Sequence, residues 1–485
     1  MKLENIIKNK ALIVNQSYIN GEWVEGKKTL DVTNPATGEV IGKVPDLGAS
    51  ETTAAIDAAH KAFETWSKKP AKERSDLLRK WFQLIIEHAD DLASLMTAEQ
   101  GKPLAESKSE INYAASFVEW FSEEARRVRG DIIPTVSNDR RILALRQPIG
   151  VVAAVTPWNF PSAMITRKVA PALAAGCTVV VKPAAQTPYS ALALAKLADM
   201  AGFPKGVINI VTGEAKAIGG EMTSNPLVRK VSFTGSTEVG KLLYRQSADT
   251  VKKISLELGG NAPFIVFDDA DIDSAVKGAL ASKYRNTGQA CTSTNRILLQ
   301  QGAHDAFTSK LVEQVKKLKV CAGFETGAQQ GPLIDTRALE KVERLLADAV
   351  KQGAKILTGG KRHALGGTFF EPTVITGITE SMQIAKEEIF GPVSAVMVFK
   401  NEAEAIQLAN NTHYGLASYF YTRDIGRIWR VSEALEFGMV GVNESLISNP
   451  VAPFGGMKES GLGREGSHLG IYEFTEVKYV CMGGL

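Results

Sequence analysis

Hydrophobic and polar residues follow two different periods along this chain, and the change between them divides it into regions. Between residues 50 and 101, apolar residues recur every three to four positions, which predicts helices with a serine cap at Ser50 and an end at Gly101. Residues 130–150 predict two short strands around a polar turn. The stretch 472–485 predicts a terminal strand, which we expect to pair with this hairpin, within one chain or across a subunit boundary.

From Gly150 onward, short apolar runs alternate with helical stretches. The run 151–155 precedes a helix that ends at Gly176, and a second alternating region extends from about residue 254 to residue 443. Strands that alternate with helices indicate an α/β fold with parallel sheets covered on both faces. Ligands bind at the carboxyl ends of such strands, so the residues that follow each strand are candidates for a site.

Composition narrows the class of protein without identifying it. The chain has 485 residues, 44% hydrophobic and 22% charged, which predicts a globular protein with two or more domains. A formal charge of +3 gives no reason to expect a nucleic acid or an anionic membrane as partner. The four cysteines lie far apart without a CxxC pair, which favours a reducing cytoplasm over a zinc site or a disulfide scaffold. No signal peptide is evident, although a cleaved organelle presequence stays an alternative.

Two residues are candidates for catalysis, one as a nucleophile and one as a base. Cys291 lies among glycine, glutamine and small hydroxyl residues, where it is a nucleophile, half of a disulfide or a small loop residue. None of the six histidines suggests a Cys–His dyad, so a carboxylate base is the remaining enzymatic option. Glu257 stands between two leucines at a predicted strand end. It is a general base if burial raises its pKa, or an exposed turn residue.

Three further stretches suggest anion binding. Asn159 is held between prolines, as an oxyanion donor or as the start of an ordinary turn. Gly235 and Ser236 open a predicted helix whose N-terminus either accepts a pyrophosphate or is simply capped. Lys182 ends a strand, where it either bonds ribose or phosphate groups or is solvated. Each reading is weak alone, because neither GxGxxG nor a Walker motif is present.

Seven segments occur in a fixed order, and together they resemble the aldehyde dehydrogenase superfamily from about residue 20 to residue 466. They are residues 156–161, 182–188, 233–240, 256–263, 288–296, 387–393 and 453–466. The resemblance implies a Rossmann-type parallel-sheet cofactor domain, an α/β catalytic domain and a small β oligomerisation element. The implied boundaries are 1–131, 150–256 and 452–471 for the cofactor domain, 257–451 for the catalytic domain, and 132–149 with 472–485 for the oligomerisation element. A homodimer or homotetramer is also implied.

The resemblance also implies a mechanism. Cys291, as thiolate, attacks an aldehyde, and the Asn159 side chain and the Cys291 backbone N–H hold the oxyanion. Hydride passes to a nicotinamide, and Glu257 activates the water that hydrolyses the thioester. No metal is needed. The implied cofactor-binding residues are Thr156, Pro157, Trp158, Lys182, Ala185, Gly235, Ser236, Glu388 and Phe390.

The identity of the nicotinamide cofactor depends on one position. Many NAD-preferring members of the family have a glutamate where this chain has Ala185. Without that carboxylate nothing opposes a 2′-phosphate, and Lys182 can attract one. We therefore predict that NADP is accepted and preferred over NAD.

Within the family, three segments resemble those of succinate-semialdehyde dehydrogenases, and they imply Arg167, Arg285 and Ser448 as a clamp for the substrate's carboxylate. Alternatively, Arg167 is a surface helix residue and Arg285 a helix C-terminal cation. A glutarate-semialdehyde or broader ω-carboxy-aldehyde dehydrogenase would use the same clamp. A CoA-acylating relative would lack the counterpart of Glu257, and a silent binding protein would need none of the catalytic residues.

One departure concerns redox regulation. Some relatives have a second cysteine two residues after the nucleophile, whereas this chain has Ser293. A disulfide switch inside that segment is therefore not expected.

Overall fold

The computed structural model describes residues 2–484 as twenty strands and fifteen α-helices, with short 3-10 turns between them. The strands are β1 (Ser17–Ile19), β2 (Glu22–Val24), β3 (Thr29–Thr33), β4 (Val40–Pro45), β5 (Asp131–Ile133), β6 (Arg140–Pro148), β7 (Val151–Val155), β8 (Thr178–Lys182), β9 (Ile208–Ile210), β10 (Val228–Thr234), β11 (Lys253–Glu257), β12 (Ala262–Val266), β13 (Thr294–Gln300), β14 (Lys355–Thr358), β15 (Thr373–Thr376), β16 (Val393–Phe399), β17 (Ala417–Tyr421), β18 (Met439–Val442), β19 (Gly461–Leu462) and β20 (Thr475–Gly483). The helices are α1 (Ala49–Trp66), α2 (Ala71–Glu87), α3 (Ala89–Gln100), α4 (Leu104–Glu124), α5 (Ala163–Ala175), α6 (Pro188–Ala201), α7 (Ala215–Ser224), α8 (Thr237–Ser247), α9 (Ile272–Tyr284), α10 (His304–Val315), α11 (Thr336–Lys351), α12 (Gln383–Lys386), α13 (Glu402–Asn410), α14 (Ile425–Ala434) and α15 (Leu469–Tyr472).

The first sheet has eight strands in the order β19-β11-β10-β7-β8-β9-β1-β2. Its five central strands, from β11 to β9, run parallel to one another, as the alternation of strands and helices predicts. The outer strands β19, β1 and β2 pair antiparallel. Because the central strands are parallel, the residues that follow β7, β8, β10 and β11 emerge at one edge of the sheet.

Helices cover both faces of this sheet because its central strands are apolar on both sides. Val151 and Val180 pack into one cluster with residues of α1 and α7. Val152 and Val181 point the other way and pack with residues of α5 and α6. The strand ends that carry the site are therefore held by a core on each face.

The second sheet has seven strands in the order β14-β15-β16-β13-β12-β17-β18. All neighbouring pairs from β15 to β18 are parallel, and only β14 pairs antiparallel. Helices α11, α13 and α14 contribute to the core on one face, and α9 and α10 to the core on the other. The second alternating region thus forms its own covered sheet, as predicted.

The third sheet pairs β20 with β6 over nine residues and β6 with β5. The predicted pairing of the terminal strand with the hairpin is confirmed, and it occurs within one chain. Large apolar side chains on this sheet are exposed, with Ile132 81% and Tyr479 64% accessible. The strands of the first, second and third sheets lie mostly within the residues predicted for the cofactor domain, the catalytic domain and the oligomerisation element. The boundaries of these domains stay a prediction. A fourth sheet pairs only β3 with β4.

One local expectation was wrong, and one group of strands was not predicted. Ser50 lies inside the first turn of α1, and Gly48 occupies the cap position, where its N–H donates to the Glu51 carboxylate at 2.9 Å. Strands β1 to β4 were not predicted, because they are short and mix polar with apolar residues. The end at Gly101 is confirmed, since this glycine adopts φ 91° after α3. Within residues 2–484, no helix combines the length and apolar character that crossing a bilayer requires.

Candidate active site

One cavity of about 560 Å³ gathers most of the predicted site residues. Its lining includes Pro157, Trp158, Asn159, Arg167, Gly235, Ser236, Glu257, Arg285, Cys291, Glu388, Phe390 and Ser448. Thr156, Lys182 and Ala185 do not line it. Segments that are far apart in the sequence therefore meet around one cavity.

Cys291 follows a tightly bent loop between α9 and β13. Asn286 and Thr287 adopt left-handed conformations, with φ of 51° and 59°, and Gly288 continues the bend with φ 74°. The chain passes so close to Gly260 that a Cβ on this glycine would lie 2.5 Å from the Cys291 carbonyl oxygen. The loop is thus fixed by backbone geometry, which places the thiol in the cavity.

The surroundings of Cys291 disfavour its thiolate. Burial raises the pKa of the thiol from 9.0 to about 12, and the nearby charges of Glu388 and Glu257 add to the rise, while Arg167 opposes it. These surroundings favour the thiol over the thiolate, and attack by the thiolate, which the resemblance implies, stays a prediction. All four cysteines are free.

Asn159 lies in the turn between β7 and α5 and is only 6% exposed. Its side-chain Nδ2 donates to the Gln289 carbonyl at 3.0 Å, in the loop that leads to Cys291. An amide nitrogen carries two hydrogens. One is therefore occupied by Gln289, and the other remains for a ligand.

Glu257 ends β11, where it pairs with Gly461 of β19. Its side chain is 3% exposed, so the reading as an exposed turn glutamate is wrong. Neither carboxylate oxygen has a hydrogen-bond partner among the described residues. Burial raises the pKa of Glu257 well above its usual 4.5, and the charge of Glu465 raises it further. This carboxylate therefore takes up a proton at a higher pH than an exposed glutamate does.

Glu465 is a buried partner of the cavity residue Arg167 that sequence reasoning did not single out. It forms ion pairs with Arg167, at 2.6 Å, and with Lys168, and all three side chains are almost fully buried. It lies within the last of the seven resembling segments. Its partners are about 300 positions earlier in the chain, so no spacing rule indicates the contact.

The predicted clamp residues all face the cavity, but their surroundings differ. Arg167 is 1% exposed, so its reading as a surface residue is wrong, and its guanidinium lies 4.0 Å from the Phe454 ring centroid. Arg285 directly follows α9, with its guanidinium 5.4 Å from the Phe160 ring centroid and its Nε without a hydrogen-bond partner among residues 2–484. Arg167 is already paired with Glu465, whereas no ion pair is found for Arg285 in the described chain.

The start of α8 fits the pyrophosphate of a dinucleotide. Ser236 caps this eleven-residue helix, and a Cβ on Gly235 would lie 2.4 Å from the Phe233 ring. The hydroxyl of Thr234 lines the cavity and is buried without a hydrogen-bond partner in the described chain. Helix N-termini favour anions, and an unpartnered hydroxyl is available to bond one.

Glu388 and Phe390 line the cavity from the loop that precedes β16. Glu388 accepts a hydrogen bond from Gly260 N at 2.9 Å, which fixes one of its oxygens. Phe390 has φ 54° and packs edge-to-face on Trp158 with ring centroids 5.6 Å apart. These contacts connect the loops of the two large sheets.

The remaining predicted cofactor residues lie outside the cavity. Thr156 is buried with an unpartnered hydroxyl, and Ala185 is exposed. Lys182 is 5% exposed rather than solvated, and its Nζ donates to Pro183 O at 2.9 Å. Burial lowers the pKa of Lys182 to about 8, while the charge of Glu214 opposes this shift. Glu214 is thus a nearby carboxylate that the sequence analysis did not foresee.

Comparison with known proteins agrees with this arrangement. The aldehyde dehydrogenase family model matches residues 23–480. The chain is 60% identical over 481 residues to glutarate-semialdehyde dehydrogenase of Pseudomonas aeruginosa, which covers 99% of this chain and 100% of that protein. It is 58% identical over 479 residues to the NADP(+) succinate-semialdehyde dehydrogenase of Escherichia coli, covering 98% and 99%. A crystal structure of succinate-semialdehyde dehydrogenase from Burkholderia pseudomallei matches with TM-score 0.98 at 60% identity, covering 98% of this chain and 99% of that chain. The chain belongs to the aldehyde dehydrogenase family, whose members are oxidoreductases that use NAD or NADP, and it has the fold of that family.

Proposed function

We propose that this enzyme oxidises succinate semialdehyde to succinate through a thioester on Cys291, with hydride transfer to NAD(P). The observation that carries the proposal is the convergence of a thiol, an unpartnered buried carboxylate, an amide donor and two arginines on one cavity. A silent binding protein would not need the first three together.

The first half of the reaction uses Cys291 and Asn159. The Cys291 sulfur bonds to the aldehyde carbon, and the thiol proton passes to the Glu257 carboxylate. The free N–H of the Asn159 amide and the Cys291 backbone N–H stabilise the negative charge on the former carbonyl oxygen. When bound, NAD(P) accepts the hydride that leaves this carbon, and the re-formed carbonyl is a thioester. Because the free thiol is protonated, the attack requires a base.

The second half of the reaction uses Glu257 again. After losing its proton to solvent, the carboxylate takes one from a water molecule, which attacks the thioester carbon. The C–S bond breaks, the acid leaves, and Cys291 regains a proton. A raised pKa suits this role because a stronger base removes the water proton more readily. A CoA-acylating enzyme would not need this carboxylate.

The substrate's carboxylate would bind between Arg285, Arg167 and Ser448. Charge-assisted hydrogen bonds from guanidinium groups suit a carboxylate. Arg285 is the main cation of this clamp, because Glu465 already compensates the charge of Arg167. An aldehyde without a carboxylate would leave the half-buried Arg285 without a charged partner, which disfavours its binding.

Glutarate semialdehyde is the second candidate substrate. It carries the same two groups with one further methylene, and the similarity to the glutarate-semialdehyde enzyme supports it. A methylene changes discrimination by only about 1–3 kcal/mol. A preference between these two acids therefore depends on small differences in the depth of the cavity.

NADP is proposed as the preferred cofactor. Ala185 leaves no carboxylate at the position where many NAD-preferring relatives have a glutamate. Glu214, which lies near Lys182, opposes this preference only weakly, since its carboxylate is held by the backbone N–H groups of Lys216 and Ala217. The similarity to an NADP(+) enzyme supports the same choice.

A cytoplasmic homodimer or homotetramer with the three proposed domains is the expected form of the enzyme. The exposed apolar side chains of the third sheet support an assembly through β5, β6 and β20. Deleting residues 475–484 should reduce the oligomer mass measured by light scattering. An unchanged mass would exclude this sheet from the interface.

The proposed function is tested by the formation of reduced nicotinamide from succinate semialdehyde in wild type and in Cys291→Ser. We expect steady formation in wild type and none in the variant. Thr292→Ser, at the neighbouring cavity position, is the matched control and should retain activity. Activity that persists in Cys291→Ser would refute the covalent mechanism.

A further inference from the structure

We propose that Asn286 is a positioning residue for Asn159, an inference that rests on the oxyanion role of Asn159 in the proposed function. The Asn286 amide joins the two segments that must meet at the reacting carbon. These are the turn after β7, which carries Asn159, and the loop 285–291, which carries the nucleophile.

Three hydrogen bonds form a closed network around these segments. Asn286 Nδ2 donates to the Asn159 carbonyl at 2.9 Å and to the Gln289 carbonyl at 3.1 Å. Asn159 Nδ2 donates to the same Gln289 carbonyl at 3.0 Å. The backbone of Asn159 and the acceptor of its side chain are therefore both held by one amide.

This network determines which way the Asn159 amide points. With one N–H on Gln289, the second N–H has a fixed direction into the cavity. If Asn159 O or Gln289 O moved by about 1 Å, the oxyanion donor would be misplaced by a similar distance, which can cost about a hundredfold in rate. Loss of the fixed orientation of the Asn159 amide should therefore destabilise the transition state more than it weakens substrate binding.

Asn286 is itself held on its other sides. Gln100 Nε2 donates to Asn286 Oδ1 at 3.0 Å, and Asn286 N donates to the Glu106 carboxylate at 2.7 Å. Lys102 Nζ shares the Asn159 carbonyl at 2.7 Å and pairs with the buried Glu110 at 2.6 Å. These surroundings leave Asn286 little freedom, as positioning requires.

The alternative is that Asn286 only stabilises the loop. Its φ of 51° is a left-handed conformation that asparagine and glycine tolerate, so Asn286→Gly removes the amide without straining the backbone. Thr287→Gly is the matched control. Thr287 has φ 59°, is equally buried, and donates to Gly331 O without contacting Asn159.

The experiment is a double-mutant cycle on kcat for the acid aldehyde. Asn286→Gly and Asn286→Ser are each made in wild type and in Asn159→Ala, and the rate of Cys291 alkylation by iodoacetamide is measured for each. We expect a fall in kcat of about tenfold to a hundredfold in wild type, with KM nearly unchanged. In the Asn159→Ala background the fall should be less than about twofold. Alkylation, which forms no oxyanion, should be unchanged, and Thr287→Gly should retain most of kcat.

Four results would overturn the proposal. Equal losses of kcat in both backgrounds would mean that Asn286 does not act through Asn159. Loss of the alkylation rate in both Asn286 variants would mean that it merely supports the nucleophile loop, and an unchanged kcat would remove any role. If Asn159→Ala itself retained kcat, the oxyanion assignment in the proposed function would fail, and this inference would fail with it. If Asn159→Ala had a low kcat and the losses of the two variants were additive, only this inference would be refuted.

Discussion

The protonation of Cys291 gives a prediction that can be worked through from the structure. Burial and the Glu388 charge raise the pKa of the thiol from 9.0 to about 12, which corresponds to on the order of 4 kcal/mol against the thiolate. At pH 7 the thiolate is then about one part in 10⁵ of the free enzyme. The nucleophile should therefore react slowly with an alkylating agent until a base or a bound ligand changes its surroundings.

The assay is alkylation by iodoacetamide as a function of pH in the free enzyme. The thiolate is the reacting form, so the rate should keep rising about tenfold per pH unit up to at least pH 10. Cys481 is exposed, so the measurement uses a Cys481→Ser background; Cys177 and Cys321 are buried.

A charge variant tests the cause of the shift. Glu388→Gln removes a charge that raises the Cys291 pKa while keeping an acceptor for Gly260 N, so alkylation at pH 8 should become faster. Glu387→Gln is the control, because this neighbour pairs with Arg344 instead. A rate that reaches a plateau below pH 8 in wild type would refute the reasoning, since Cys291 would then be a thiolate near neutral pH.

Four further predictions concern the clamp, the base and the cofactor. Arg285→Leu should lower kcat/KM for succinate semialdehyde by about tenfold to a hundredfold, since a hydrogen bond to a charged group contributes about 1.5–3 kcal/mol. The kcat/KM for butanal should not change. Similar losses for both aldehydes would argue against the clamp. Wild-type kcat should fall as the pH decreases through a value above 4.5, because Glu257 acts in its basic form and its pKa is raised. Glu257→Gln should slow both the attack of Cys291 and the hydrolysis of the thioester, so mass spectrometry should find mostly unacylated enzyme in the presence of aldehyde and cofactor. Accumulation of the acylated enzyme would show that Glu257 is not needed as the base for the attack. Ala185→Glu should shift the ratio of kcat/KM towards NAD, and an unchanged ratio would show that this position does not select the cofactor.

The parallel sheets could be predicted because several of their strands contain continuous apolar runs, such as β7. The residues of the run Val151–Val155 contact a hydrophobic core on each face of the sheet. Such an apolar run can be recognised in the sequence without knowing which strands pair with it. Strands β1 and β2 were not recognisable, because their place at the sheet edge depends on pairing with β9 far along the chain.

The proposed catalytic residues were singled out through the order of seven segments, since none of them stood out alone. Glu257 is an example, because only the fold shows that its carboxylate is buried without a partner. Contacts between distant segments could not be predicted. Glu465 meets Lys168 across 297 positions, and Gln100 meets Asn286 across 186.

The central claim is that the cavity selects an aldehyde by its distal carboxylate. Its most direct test is kcat/KM for succinate semialdehyde, glutarate semialdehyde and butanal, measured with NADP and with NAD. We expect both acid aldehydes to exceed butanal by about a hundredfold or more with either cofactor, because an uncharged aldehyde leaves the half-buried Arg285 without a charged partner. Equal efficiency with butanal would contradict it.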